Sequence, residues 1–329
     1  MEKKILIYRL SALGDVAMAI PAIYSLAEQY PKWKIRVVTD VRFVSLFVNH
    51  PDNISFIPVR KIDIRGLGII QLISLLHHEE ACTFVDLHNV LRSWILDLTF
   101  ILARKKVVIL NKKRIKRLFH KDEIVQPFVY RYFDTLRKVC SQLFPSFTSL
   151  KFTSKMEKGR DIWIGIAPFA RYENKTYPMD KMKKVVDILS NQGMNIRIFI
   201  FGFGDYEHQL IDGWAKANSR VVNLSNRFDL AKELEIMSGL DVMVSMDSAN
   251  MHLASLVGVP VISIWGATAP LCGFLGWKQK IEDTICLKKR CQPCSVAGGH
   301  RCKRGDLACL NDIEPNDIVQ KVMMHLYKI

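Results

Sequence analysis

The chain has 329 residues, 49% of them hydrophobic and 24% charged. That balance excludes a largely disordered or collagen-like protein, and the length predicts two domains, each able to bury a core. Lys and Arg outnumber Asp and Glu by 47 to 32, a net charge of +15, and residues 1–150 alone hold 23 basic against 13 acidic side chains. An anionic partner is expected: nucleic acid, a membrane surface, or a phosphorylated or acidic substrate.

Short apolar, β-branched runs alternate with segments of helical period, which predicts βα units around parallel sheets. In the first half the strands are expected at Lys4–Arg9, Ile35–Thr39, Ile54–Ile57, Thr83–Asp86 and Val107–Leu110. Helices are expected at 15–29, 66–78 and 89–102, with another ending near Phe144-Pro145. The polar stretch Ser149–Arg160 then reads as the boundary between domains 1–150 and 151–329. Beyond it, strands are expected at Ile162–Ala167, Ile196–Phe201, Val221–Leu224, Val242–Ser245 and Val261–Trp265. Helices near 179–191, 205–217, 229–238 and 248–257 separate these, and a last one, 315–327, opens on Pro315, a residue favoured in a first helical turn. The uncharged run Leu253–Trp277 is long enough to raise a membrane span, but Gly258, Pro260, Gly266, Pro270, Gly273 and Gly276 interrupt it, as in a buried strand and loop. With no targeting signal in MEKKILIYRL, the expectation is a cytoplasmic protein, peripheral on the inner membrane at most.

Ligands of open α/β sheets bind beyond the carboxyl ends of the strands, so the loops there are where chemistry is sought. The first runs Arg9-Leu10-Ser11-Ala12-Leu13-Gly14-Asp15. Gly14 would permit a tight turn; Asp15 would either take a proton from an attacking hydroxyl or simply cap the helix, as Asp does well. Asn caps about as well as Asp, so Asp15→Asn should leave thermal stability nearly unchanged, and normal turnover in that variant would rule out the base. A second loop, Ser245 to His252, ends a strand and starts a helix, whose free N–H groups suit a diphosphate; here too Asp247 reads equally as an N-cap and His252 as a hydrogen-bonded histidine. Gly266-Ala267-Thr268-Ala269-Pro270 follows the next strand. A third, Ala167 to Lys175, offers Arg171 and Lys175 to the same phosphates, although loop lysines are commonly just solvated.

Gly202-Phe203-Gly204 has Glu207 where a dinucleotide fingerprint needs its third glycine, so a nicotinamide or flavin site is rejected. The run 104–121 carries nine Lys or Arg and no acid, but only Phe119 among aromatics, which disfavours nucleic acid and suits an anionic acceptor or a solvated face. Cys291, Cys294, Cys302 and Cys309 have spacing that would serve a structural zinc, two disulfides or free thiols, with neighbouring Lys and Arg expected to lower the thiol pKa values. Cys82, Cys140, Cys272 and Cys286 read as buried small hydrophobes.

Taken together, RLSALGDVAMAIPAI at 9–23, VDLHNVLRS at 85–93, the Lys175 loop, MDSANMHLASLVGVPVISIWGATAP at 246–270 and the four-cysteine tail resemble the glycosyltransferase family 9 enzymes, the lipopolysaccharide heptosyltransferases, across nearly the whole chain. The resemblance implies a GT-B fold, two Rossmann-like doubly wound domains facing a cleft, the first binding acceptor and the second an ADP-heptose-type donor, with helix 315–327 packing back toward the first. It implies inverting transfer to a lipopolysaccharide core or related anionic, lipid-linked saccharide, without a catalytic metal. Asp15 would then be the general base and Lys175 the group that neutralises the leaving diphosphate. Arg171, Asp247, Ser248, Ala249, His252, Gly266 and Thr268 would bind donor; Ser11, Gly14, Asp86 and Arg92 would lie on the acceptor side. The chain departs from the family pattern at Ser248-Ala249, where Thr-Gly is usual, at Ala267 in place of proline, and at Ala269 in place of an acid. Two alternatives stand beside this reading: an enzyme of the same fold with another nucleotide-sugar donor, and a non-enzymatic basic protein that binds nucleic acid.

Overall fold

The computed structural model describes residues 3–64, 66–112, 126–153, 157–193 and 195–327. Beyond Lys112 the basic run, with Lys113, Arg114, Lys116 and Arg117, lies outside the described residues. Contacts divide the chain into two compact units that meet in sequence between Thr148 and Ser149.

In the first unit β1 (Lys4–Tyr8), β2 (Lys34–Asp40), β3 (Ile54–Val59), β4 (Thr83–Asp86) and β5 (Lys106–Ile109) form one parallel sheet in the order β3-β2-β1-β4-β5. α1 (Leu13–Gln29), α2 (Gly68–His78), α3 (Leu91–Leu102) and α4 (Phe128–Arg137) accompany it. β1 is buried along Ile5–Tyr8 because it pairs on both sides, with β2 and with β4. Its Leu6 and Tyr8 join Val38, Leu72, Leu76, Phe84 and Phe100 in the core.

The second unit repeats the plan with β6 (Ile162–Ala167), β7 (Ile196–Ile200), β8 (Val221–Asn223), β9 (Val242–Met246), β10 (Val261–Ile264) and β11 (Thr284–Ile285), ordered β11-β10-β9-β6-β7-β8 and parallel throughout. Its helices are α5 (Met179–Ser190), α6 (Asp205–Ala217), α7 (Leu230–Ser238), α8 (Ala249–Leu256), the single turn α9 (Ala308–Asn311) and α10 (Pro315–Tyr327). α10 spends its buried face, Ile318, Val319 and Val322, on the core of this second unit. The uncharged run Leu253–Trp277 becomes the end of α8, β10 and the loops after it, and among the described residues no helix is long and apolar enough to cross a membrane.

Three expectations shift. α1 begins at Leu13, before Asp15. The helix expected to reach Phe144-Pro145 stops at Arg137, whose guanidinium turns back to the Leu143 carbonyl at 3.0 Å. β11, only two residues long, carries too little pattern to be read from sequence.

Beneath the turn from β4 to α3 lies a pair of buried carboxyls. Asp86 is fully enclosed and accepts hydrogen bonds from the N–H groups of His88 (2.6 Å) and Asn89 (2.8 Å) and from the Ser93 hydroxyl (2.5 Å). Asp97, one helical turn beyond Ser93, is equally buried; burial, and next the Asp86 charge, push it up to about 7. The unfolded chain releases that proton near pH 4, so native stability contributed here is full below that pH and is lost as pH rises toward 7. Asp97→Asn should therefore melt a few degrees above the parent at about pH 8 and level with it at about pH 4. Thermal melts at the two pH values check this, and identical offsets at both would contradict it.

Candidate functional site

Both sheets change winding direction once, between β1 and β4 in the first unit and between β6 and β9 in the second. In each sheet separately, the loops beyond the carboxyl ends of that strand pair flank the crevice where a doubly wound sheet takes its ligand. These are the loops carrying Asp15 and His88 in one unit, Lys175 and Asp247 in the other.

In the first unit the organising residue is Arg9, which sequence reasoning did not nominate. Only 4% exposed, it donates to the Leu87 carbonyl at 2.6 Å and pairs with Asp15 Oδ2 at 2.6 Å. Asp15 Oδ2 also accepts the Ala12 backbone N–H at 3.1 Å, so Asp15 does cap α1, from the first turn. Its Oδ1 has no hydrogen-bond partner among the described residues, and the side chain is 29% exposed. The cap thus uses only one oxygen of the carboxylate. Gly14 sits in the first turn of α1 and not at a position of positive φ, so a tight turn is not its role. Ser11 Oγ lies 3.4 Å from His88 Nε2. Burial, reinforced by the Arg9 charge, pushes His88 down to about 3, so its ring is neutral at ordinary pH.

Ser11 and His88 help line a cavity of about 470 Å³, walled also by Tyr8, Leu10, Arg42, Arg60, Lys61 and Arg92. Arg42 and Arg60 each pair with a nearby carboxylate, Asp40 at 2.7 Å and Asp63 at 3.2 Å. The wall suits an anionic, hydroxyl-bearing ligand. Arg92 stands on it as expected; Asp86 does not, because its carboxylate is consumed in shaping the loop underneath. A larger hollow of about 870 Å³ borders Lys4 and Lys34, at the amino ends of β1 and β2, the opposite end from the binding crevice.

In the second unit Lys175 Nζ pairs with Asp247 Oδ2 at 2.8 Å, the side chains 13% and 5% exposed. The Thr268 hydroxyl donates to the same oxygen at 2.5 Å. Thr268 is wholly buried, so it positions Asp247, and Asp247 in turn positions Lys175. Ser248 occupies the N-cap of α8 without capping through its side chain, and Ala249 follows, both partly exposed, which keeps the first-turn N–H groups of α8 available to an anion. His252 is buried on α8. Arg171 is exposed over the Tyr172 ring, 5.4 Å from its centroid. Gly266 serves packing: a Cβ there would collide with the Asn174 carbonyl and the Leu310 side chain. At the rejected fingerprint, Glu207 accepts the Phe203 N–H at 2.8 Å, filling the loop with a carboxylate.

The cysteine-rich segment braces the lysine loop. Asn174 donates to the His300 carbonyl at 2.5 Å, Gly298 lies against Lys175 and Tyr172, and Cys294 N–H binds the Ala267 carbonyl at 2.8 Å. Cys291, Cys294, Cys302 and Cys309 line one cavity of about 10 Å³, together with Asn174 and Ala267. None of the four is joined in a disulfide in the structure, and among the described residues no three metal-binding side chains stand in a coordinating arrangement. The expected structural zinc therefore rests on the chemistry of the donor set and not on its geometry. Nor do the nearby cations dominate the thiols: burial raises Cys294 and pushes Cys309 up to about 11, while backbone N–H groups, that of Leu307 foremost, lower Cys302. Cys140 and Cys272 are buried, Cys286 is partly so, and Cys82 is exposed, donating to the Lys4 carbonyl.

Two doubly wound units, one with a poised carboxylate and the other with a lysine beside an uncapped helix terminus, describe a transferase of the nucleotide-binding α/β class. The profile of glycosyltransferase family 9 (heptosyltransferase) matches residues 71–301, and the chain belongs to that family. It is 23% identical to a lipooligosaccharide heptosyltransferase 2 of Campylobacter jejuni subsp. jejuni serotype O:6, over 97% of this chain and 98% of that one. Among solved structures, a family 9 glycosyltransferase of Veillonella parvula superposes with a TM-score of 0.77 at 16% identity, covering 99% and 98% of the two chains. The Escherichia coli ADP-heptose lipopolysaccharide heptosyltransferase II does so with 0.71 at 19%, covering 99% of each. The fold is GT-B.

The Arg9–Asp15 pair overturns the expectation that Asp15→Asn is thermally silent. The amide can still accept a hydrogen bond but leaves a buried guanidinium without its counter-charge, so the variant should lose about 1–3 kcal/mol. Denaturant unfolding measures it; a loss of only a few tenths would show that the pair adds nothing beyond a cap.

Proposed function

We propose that this chain moves a heptose from an ADP-heptose donor to a hydroxyl of an anionic, lipid-linked saccharide of the lipopolysaccharide core, with inversion and without a catalytic metal. The observation that carries the reading is Asp15: one oxygen is locked by Arg9 and the Ala12 N–H, and the other has no partner among the described residues, in the loop that lends Leu10 and Ser11 to a cavity lined by Arg42, Arg60, Lys61 and Arg92 as well as Asp40. Family membership and the names of the relatives support it.

In the proposed transfer the acceptor hydroxyl gives its proton to Asp15 Oδ1 as its oxygen attacks the anomeric carbon. The bond from that carbon to the diphosphate breaks, its electron pair leaving on ADP, on the face opposite the new bond. Holding the acceptor in the basic cavity supplies part of the rate by orientation alone. Charge arriving on the diphosphate is met by Lys175 and by the N–H groups opening α8, around Ser248 and Ala249. Because Asp247 already neutralises Lys175 in the structure, its part is to aim the ammonium, which moves from carboxylate to phosphate when donor binds. Arg171, exposed near the same loop, extends that positive wall.

A thermal-shift panel of nucleoside diphosphates tests the donor assignment. ADP at about a hundred times its dissociation constant should stabilise the parent by about 2.7 kcal/mol, with UDP and GDP giving less. Lys175→Met should abolish most of that response and lower turnover about 10²–10³-fold while remaining folded. A response to UDP alone would point to a different donor, and salt-dependent nucleic-acid binding with no response to ADP would remove the transferase reading.

A further inference from the structure

α3 is apolar on its outer face and only half apolar on its buried one. Its buried positions are Ser93, Leu96, Asp97 and Phe100, two of them polar. Its outward positions are Leu91, Trp94, Ile95, Leu98, Ile101 and Leu102, of which Leu98 is 56% and Leu102 73% exposed. A helix facing water is expected to show the reverse. α2 packs beside it, His77 stacking on Phe100 with ring centroids 4.4 Å apart and Nε2 3.2 Å from Thr99 Oγ1. α2 and the turn before it add exposed Leu67, Ile70 and Leu75 to the apolar side chains that α3 exposes.

Among the described residues, the exposed charges at the two ends of α3 are basic. Arg104, Lys105 and Lys106 follow α3 directly and are exposed, and Arg92 stands exposed at the opposite end. Asp97 is buried, and the acids ending α2, Glu79 and Glu80, pair with Arg36 at 2.6 Å and Lys4 at 3.5 Å. Leu91 belongs both to the apolar stripe and to the wall of the basic cavity, so the face begins at the cavity's rim.

We propose that the outer face of α2 and α3 docks on an anionic lipid bilayer. Leucine, isoleucine and Trp94 enter the headgroup boundary while Arg92 and Arg104–Lys106 meet lipid phosphates. Each of these parts favours an interface: apolar side chains on one helix face, an indole at the water boundary, and basic residues flanking them. A second copy of the chain fits less well, because its own basic flanks would be brought against these. Docking goes beyond the transfer reaction and needs none of it, yet it would hold the cavity mouth at the surface where a lipid-linked acceptor resides.

Co-sedimentation of the full chain with phosphatidylethanolamine/phosphatidylglycerol vesicles, and with phosphatidylcholine vesicles, tests it. The parent should sediment with the anionic vesicles, less so at high salt, and poorly with phosphatidylcholine. Leu98→Glu with Ile101→Glu should weaken binding to anionic vesicles about tenfold or more, whereas Phe203→Ser, at an exposed aromatic of the second unit, should not. The ADP thermal shift, measured on each variant, reports folding and keeps this outcome separate from the donor assignment. Parent protein left in the supernatant, unchanged sedimentation of the double variant, or light scattering showing a dimer that the double variant dissolves would each overturn the proposal.

Discussion

A guanidinium buried at the end of β1 organises the first unit. Arg9 is too enclosed to be solvated and must be neutralised and hydrogen-bonded where it stands. It draws the end of β4 through the Leu87 carbonyl and the start of α1 through Asp15. Two loops of the switch point are thereby fixed to each other, and one oxygen of Asp15 is engaged while its carboxylate is held in a defined place; burial, with the Arg9 charge second, keeps the adjoining His88 ring neutral. The same pair that neutralises Arg9 fixes the orientation of the Asp15 carboxylate, the group proposed to take the acceptor proton.

The second unit reaches a comparable result from the opposite charge. There the buried group is a carboxylate, Asp247, satisfied by Lys175 and Thr268. Its surroundings show why the cysteine-rich segment belongs to this site: residues 294–300 press on Lys175, Tyr172 and Asn174 and leave the lysine few directions to take. The cysteine-rich segment braces the lysine loop through its backbone, at His300, Cys294 and Gly298.

The sheets were legible in the sequence because parallel strands buried on both faces read as unbroken apolar runs; Thr83–Asp86 and Ile162–Ala167 match their expected limits. The loops that carry Asp15 and Lys175 were legible because they follow apolar strands, whereas Arg92 was legible only through the family resemblance. What was not legible depends on who meets whom. Arg9, one residue beyond β1, resembles any loop arginine until the Leu87 carbonyl and Asp15 close around it. Asp86 looks like a ligand-facing acid until three donors claim its carboxylate, and Gly266 looks like a phosphate-loop glycine until Asn174 and Leu310 fill the space. The inverted polarity of α3 escaped because a helical apolar period does not say which stripe faces inward.

The assignment of Asp15 as the proton acceptor is the claim on which the mechanism turns. Its most direct test is the turnover of Asp15→Asn with ADP-heptose and a lipid-linked acceptor, followed across pH at a temperature where the variant is folded. The account requires a fall in kcat of about 10²–10⁴-fold with donor affinity intact. Turnover within a few-fold of the parent would contradict it and reduce Asp15 to a partner for Arg9.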